Sequence, residues 1–281
     1  MNDDKLIARK VARSWMVQPT KHSPGHTVAL VLEPGHWEEF DPFLLLAEDW
    51  FEHGTFDVHP HRGIETVTYV IEGRLLHYDN KAGAGELMPG DVQWMTAGRG
   101  VIHKEDPDAG DTVHSLQLWL NLTSDKKMTQ PRYQNLRSHD MPVRQEEGAS
   151  IRVFSGSSGA VRSQTENHVP VTMVEIVVEP GYRITQELPG DFNGFLYVLE
   201  GKGTFGGNLA QGVQGQVLWL DRPDNSSRSE VAIHATDKLR VLLYAGKPVR
   251  EPVVAYGPFV MNSKEEIRQA INDYQSGKFD A

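Results

Sequence analysis

Two short passages of this chain occur twice, and the repetition constrains its fold more than any other feature. Tyr69-Val70-Ile71-Glu72-Gly73 returns as Tyr197-Val198-Leu199-Glu200-Gly201, and Gly90-Asp91-Val92-Gln93-Trp94-Met95 returns as Gly215-Gln216-Val217-Leu218-Trp219-Leu220. The tyrosines stand 128 residues apart and the tryptophans 125, so order and near-spacing are both kept. Self-similarity of this kind marks a duplicated structural unit. The 281 residues therefore read as two copies of one unit, long enough for two domains. The polar stretch from Ser138 to Gly148 is the expected boundary, dividing the chain into 1–138 and 139–281.

Each copy reads as β-structure. Runs rich in β-branched and aromatic residues, such as Thr66–Ile71, Leu116–Leu120, Val171–Val178 and Leu239–Tyr244, alternate with Gly, Pro, Asp and Asn clusters. That spacing predicts an all-β fold, a sandwich or barrel in each half. One helix stands out near the C-terminus. Ser263-Lys264-Glu265-Glu266 is a capping box, and Ile267, Ala270, Ile271 and Tyr274 follow at the spacing of one helical face. This helix is expected to dock on the second copy.

Composition removes several function classes. There is no cysteine, which excludes disulfides, thiolate-bound zinc, iron–sulfur clusters and a cysteine nucleophile. Asp and Glu number 38 against 28 Lys and Arg, a formal charge of −10 that argues against direct nucleic-acid binding. Met1-Asn2-Asp3-Asp4-Lys5 lacks the apolar segment of a secretory signal. No apolar run approaches the ~20 residues that cross a bilayer. The expectation is a cytoplasmic monomer without membrane association.

Four residues point to chemistry: His59, His61, His103 and Glu105. In an extended strand, residues i and i+2 face the same side. His59-Pro60-His61 thus aims two imidazoles one way, and His103-Lys104-Glu105 aims an imidazole and a carboxylate. Two such pairs from neighbouring strands can surround one cation with three nitrogens and an oxygen. Imidazole with carboxylate suits Fe(II), Mn(II), Co(II), Ni(II), Cu(II) or Zn(II). Four ligands on an octahedral ion leave two positions open, as a redox or Lewis-acid site requires. The remaining histidines, His77 among them, are read as structural or surface residues.

At these residues the sequence resembles the pirin family of the cupin superfamily. The likeness runs through His59–Tyr69 and Pro89–His103, and continues through Asp41–Leu46, Leu116–Leu122, Arg250–Val254 and Gly257–Asn262. It covers nearly the whole chain. Ile64 stands where the family commonly has Phe, a difference expected to alter packing and not ligation. The resemblance implies a bicupin, two tandem cupin-type β-barrels with a C-terminal helix. It implies one mononuclear divalent metal in the N-terminal barrel, iron by preference, held by His59, His61, His103 and Glu105. Glu65 matches a glutamate that ligates metal in many cupins but not in pirins. Strand parity places it on the face of His59 and His61, and it is read as lining the barrel beside the site. The two repeat offsets put Glu187, Pro189, Arg228 and Glu230 where the first copy has its four site residues, so the second barrel is expected to be metal-free, with a packing or partner role.

Two activities follow from the resemblance. Some pirins resemble quercetin 2,3-dioxygenases, which open the central ring of a flavonol with O₂ and release carbon monoxide. The partners are then a flavonol-like aromatic and O₂, with Glu105 the catalytic base. The alternative is a non-catalytic, iron-dependent redox sensor that binds transcription factors or metabolic enzymes. Arg62, Arg99 and Lys104 would carry its signal outward. The plainer expectation is that both arginines fix turns or ion pairs and Lys104 is solvated.

Overall fold

The computed structural model describes residues 6–80, 83–223 and 228–279. It is dominated by strands, with two helices among the described residues, Trp37–Phe40 and Lys264–Gln275. The all-β reading therefore holds. Among the described residues, no helix is long and apolar enough to cross a membrane.

The chain forms two compact units. The first comprises Pro19–Asp140 with the segment that begins at Val249, and the second comprises Met141–Pro248 with the segment that ends at Gln18. The chain passes from the first unit to the second after residue 140, and the terminal segments cross over. The N-terminal segment completes the second unit, and the C-terminal helix belongs to the first. Pairing of backbone groups explains the N-terminal exchange. Val11–Met16 adds an antiparallel strand to Gln216–Leu220, and Ile7–Ala8 pairs in parallel with Arg228–Ala235. Arg9, fully buried, donates to the Phe192 carbonyl at 2.8 Å, the Pro189 carbonyl at 2.7 Å and Ser229 Oγ at 2.8 Å. Burial lowers its pKa to about 10.

The duplication is visible in the sheets. In the first unit, Thr112–Asn121 lies between Phe43–Glu52 and Ile64–Glu72 in a seven-stranded sheet, and Val92–Thr96 pairs with the last of these. A four-stranded sheet holds His59–His61, Val101–Pro107, Leu75–Asp79 and Gly83–Leu87 in that order. In the second unit, Leu239–Gly246 lies between Val171–Val178 and Asn193–Glu200, and Gln216–Leu220 pairs with the latter. Arg228–Ala235 pairs there with Arg183–Pro189 and Lys202–Phe205, as Val101–Pro107 does with its own neighbours.

Among the described residues the sheets do not join into closed barrels. In each unit the strand that carries the repeated Tyr-Val-x-Glu-Gly motif leaves the large sheet for the smaller one at a corner made by the motif's glycine. Gly73 has φ 82° and Gly201 has φ 79°. A Cβ on Gly73 would sit 2.4 Å from the Thr112 carbonyl oxygen, and one on Gly201 would sit 1.9 Å from that of Lys238. Only glycine combines the positive φ with so close a backbone approach.

The helix is capped as its sequence predicts, with one difference. Ser263 Oγ accepts from the Glu266 amide at 3.2 Å, but Glu266 Oε2 accepts from the amide of Asn262, one residue before the cap, at 2.9 Å. At the far end Gly277, φ 74°, allows its own amide to reach the Tyr274 carbonyl and that of Lys278 to reach Asp273, a Schellman motif. Ile267 and Ala270 pack on Phe259, Met261 and Phe279. Helical periodicity identifies the buried face but carries no information about the surface that receives it.

Gly201→Ala should lower stability to chemical denaturation by more than about 3 kcal/mol, because strain and a backbone clash combine. Gly181→Ala, also at positive φ but with nothing within 4 Å of the added carbon, should cost about 1 kcal/mol. Equal losses in urea titrations would contradict the close-approach account.

Candidate metal centre

The His59–His61 strand runs antiparallel to Val101–Pro107, with His59 opposite His103. The two-residue period then sets His61 beside His59 and Glu105 beyond His103 on the inner face. The Nε2 atoms of His59 and His103 are 3.0 Å apart. The His61 ring lies 5.0 Å from each of the other two, centre to centre. One nitrogen from each of the three imidazoles lies within 4.8 Å of the others. Adjacent ligands on one transition-metal ion, each about 2.1 Å from it, stand about 3 Å apart, so His59 and His103 already have that separation.

The imidazoles are prepared as ligands. His59 Nδ1 lies 2.8 Å from the Asp57 carbonyl oxygen. A carbonyl only accepts, so Nδ1 carries the proton and Nε2 offers its lone pair. His61 is 2% exposed and faces the Pro258 backbone, without a hydrogen bond of full geometry at either nitrogen; His103 Nδ1 has no partner. Burial, reinforced by His59, pushes His61 down to about 3. Burial and the neighbouring imidazoles hold His103 well below the usual histidine range. Both are neutral at pH 7, the form that binds metal. Each orphaned buried nitrogen costs about 1–3 kcal/mol in the absence of a partner, and a divalent cation would supply one. The donor set fits such an ion.

Glu105 is buried beside this trio, and its closest potential co-ligands are His103 and His77. Thr68 Oγ1 donates to one of its oxygens at 3.0 Å, and Gln117 Nε2 to the other at 2.6 Å. Trp119 Nε1 in turn donates to Gln117 Oε1 at 3.2 Å. The structure thus gathers all four expected residues at one place, in two overlapping trios rather than one equal set of four. It also brings in His77, which the sequence reading passed over. Leu75–Asp79 pairs with Val101–Pro107 so that His77 lies opposite Glu105 and Asp79 opposite His103. The signal was present, since His77-Tyr78-Asp79 has the same i, i+2 spacing as the other two pairs.

Glu65 lies elsewhere. It is fully buried, accepts from Thr96 Oγ1 at 2.6 Å, and has its pKa raised by burial. Parity counted from His61 does not reach it, because Gly63, φ 81°, turns the chain from the small sheet into the large one. The ladder also revises the positions in the second unit. Gln186 lies opposite Val231 and Leu188 opposite Ser229. Gln186, Leu188, Val231 and Ile233 face inward there, all 2% exposed or less. The expected equivalents Glu187 and Arg228 face outward and pair with each other at 2.6 Å. A one-residue shift of register changes the face of every side chain.

The three-residue ligand strand is held from outside. Lys127, buried, donates to the carbonyls of Gly63 at 3.0 Å and Val260 at 3.1 Å and to Asn121 Oδ1 at 2.8 Å; burial lowers its pKa to about 8. Arg62 donates to the Arg99 carbonyl at 2.6 Å and to Asp273 Oδ2 at 2.8 Å, and stacks over Phe279. Arg62 thus fixes a turn and an ion pair, the plainer of its two expected roles. Lys104 pairs with Asp106 at 2.7 Å.

A cavity of about 300 Å³ opens against the site, with His59, His61 and Glu105 in its wall and Leu45, Phe51, Phe56 and Trp119 among its apolar residues. This is the low end of the range for small-molecule sites. Asp49, also in the wall, is bonded to His26 at 2.8 Å and has its pKa raised by burial. A larger cavity of about 850 Å³ lies by Trp37 and Arg250, but none of the four expected site residues lines it.

Comparison with known proteins gives a consistent picture. The family description "Pirin" matches residues 25–120, and "Pirin C-terminal cupin domain" matches residues 173–280. Pirin-like protein 2 of Arabidopsis thaliana is 38% identical over 277 residues, covering 97% of this chain and 86% of that protein. The crystal structure of GK1651 from Geobacillus kaustophilus is 64% identical with a TM-score of 0.87, covering 89% of this chain and 100% of that one. A quercetin 2,3-dioxygenase from Acinetobacter baumannii is 31% identical with a TM-score of 0.84, covering 96% of this chain and 98% of that one.

Three imidazoles of ordinary basicity would release about two protons on binding a metal at pH 6. With His61 and His103 already neutral, release should stay below about one proton per ion. Calorimetric titration with Zn(II) in buffers of different ionisation enthalpy measures this, and a release of two would contradict the burial account.

Proposed function

The chain belongs to the pirin family, and from that premise we propose that it is a metal-dependent dioxygenase of the quercetin 2,3-dioxygenase type. The observation that carries the reading is the convergence of three imidazoles and one oriented carboxylate at an apolar cavity. The 31% identity to a quercetin 2,3-dioxygenase over most of both chains supports it. The proposed ligands are His59, His61, His103 and Glu105, and the proposed metal is Fe(II). When bound, such an ion supplies a Lewis acid for the flavonol 3-hydroxyl and a redox partner for O₂.

The chain's own residues do the rest. Leu45, Phe51, Phe56 and Trp119 offer flat apolar walls to an aromatic substrate and keep water from it. Glu105 takes the proton of the 3-hydroxyl as general base. Thr68 and Gln117 each occupy one lone pair of its carboxylate, fixing its plane and leaving acceptor capacity on both oxygens. The Asp57 carbonyl keeps His59 in the tautomer with a free Nε2.

A regulatory reading has one observation in its favour. Arg62, next in sequence to His61, is ion-paired to Asp273 of the terminal helix, so a change at the ligand strand has a route to that helix. Turnover separates the readings. Iron-loaded protein with quercetin and O₂ should consume the flavonol and release carbon monoxide. His61→Ala should weaken metal binding and lower turnover by more than about 100-fold, and Glu105→Gln should lower the rate by about 100-fold or more. No turnover with Fe, Mn, Co, Ni or Cu would overturn the enzyme reading in favour of an iron-dependent regulator.

A further inference from the structure

The strand Val101–Pro107 has two neighbours, and the proposed metal ligands use only one of them. On its other side, Leu75–Asp79 presents His77 and Asp79. His77 Nε2 lies 3.2 Å from Asp79 Oδ2, and both side chains are buried. With Nε2 donating to that carboxylate oxygen, Nδ1 offers its lone pair. That Nδ1 is buried and has no hydrogen-bond partner. A carboxylate behind one nitrogen with the other left free is the arrangement that orients metal-binding imidazoles.

We propose that His77, His103 and Glu105 form a second, inner position for a divalent transition-metal ion, sharing His103 with the outer trio of His59, His61 and His103. The inference rests on the metal-dependent reading above and extends it. One ligand atom from each of the three inner residues lies within 4.8 Å of the others. Two imidazoles and a carboxylate are the donor set of non-haem Fe(II) sites, which retain open positions. Glu105 is held for this role by Thr68 and Gln117. His103 Nδ1 and the hydroxyl of Tyr133, whose ring lies 4.9 Å from that of His77, are also buried without partners. Packing against Tyr133 accounts for the His77 ring but not for its free nitrogen, which costs about 1–3 kcal/mol if nothing binds there. Because His103 is common to both trios, a single ion divides between two stations. The outer one borders the cavity through His59 and His61, whereas His77 and His103 do not line it.

Cobalt(II) tests this, with elemental analysis and the visible ligand-field spectrum as readouts. The wild-type chain should bind about one ion. The His59→Ala/His61→Ala variant should still bind about one, with affinity reduced by about 10–100-fold and a changed spectrum. Adding His77→Ala should abolish that residual binding. Loss of all cobalt from the double variant, or no effect of His77→Ala in that background, overturns the inner position while leaving the outer one intact. No cobalt in the wild type overturns both. Should the double variant fail to fold, anomalous diffraction from cobalt-loaded wild-type crystals decides the matter. A second peak within coordination distance of His77 Nδ1 is expected, and a peak at the outer trio alone refutes the proposal.

Discussion

The antiparallel pairing of His59–His61 with Val101–Pro107 is the contact on which the site depends. It places His59 opposite His103 and, through the two-residue period, carries His61 and Glu105 to the same interior face. A strand of three residues has too few ladder bonds to hold itself. Its register is therefore secured by neighbours. Lys127 bridges the carbonyls of Gly63 and Val260, and the Val260 amide donates to the Arg62 carbonyl at 3.1 Å. A Cβ on Gly63 would come within 2.0 Å of the Val260 oxygen, so the terminal segment can close on the ligand strand only because that residue is glycine.

The terminal helix consequently has a part in the site without contributing a proposed ligand. Asp273, buried on the helix, receives hydrogen bonds from Lys278, Arg62 and Gln269, and these hold its carboxyl down to about 2. Its folded pKa lies below the unfolded value. The linkage therefore stabilises the docked helix above the ordinary aspartate range and is lost as pH falls from about 4 towards 2. Arg62 is the residue between that helix and the imidazoles.

The two units share a topology and differ in what their interiors hold. In the second, residues of both sheets, including Leu188, Val231, Ile233, Val174 and Leu243, form one apolar cluster. In the first, the corresponding interior strands carry imidazoles and a carboxylate whose burial costs stability unless each polar atom finds a partner. One frame thus supports two chemistries, since side-chain identity on the inner face is independent of the backbone pairing that builds the sheet.

Much of this was legible in the sequence. The repeated Tyr-Val-x-Glu-Gly motif disclosed the duplication, because its glycine makes the same corner in both copies. His59, His61, His103 and Glu105 could be selected because alternation along a strand is a local property. His77 was equally available by that rule, and its isolation from a second histidine concealed it. Three things needed the tertiary structure. The exchange of terminal segments depends on which sheet edge and which apolar surface accept them, and neither is encoded in local pattern. The face reached by Glu65 and by the second unit's counterparts depends on corners such as Gly63, which interrupt parity. The cavity, the neutrality of His61 and the bracing of Glu105 arise only where segments far apart in the chain exclude water together. Local chemistry determined which side chains were suited to the site, and long-range packing decided which of them meet there.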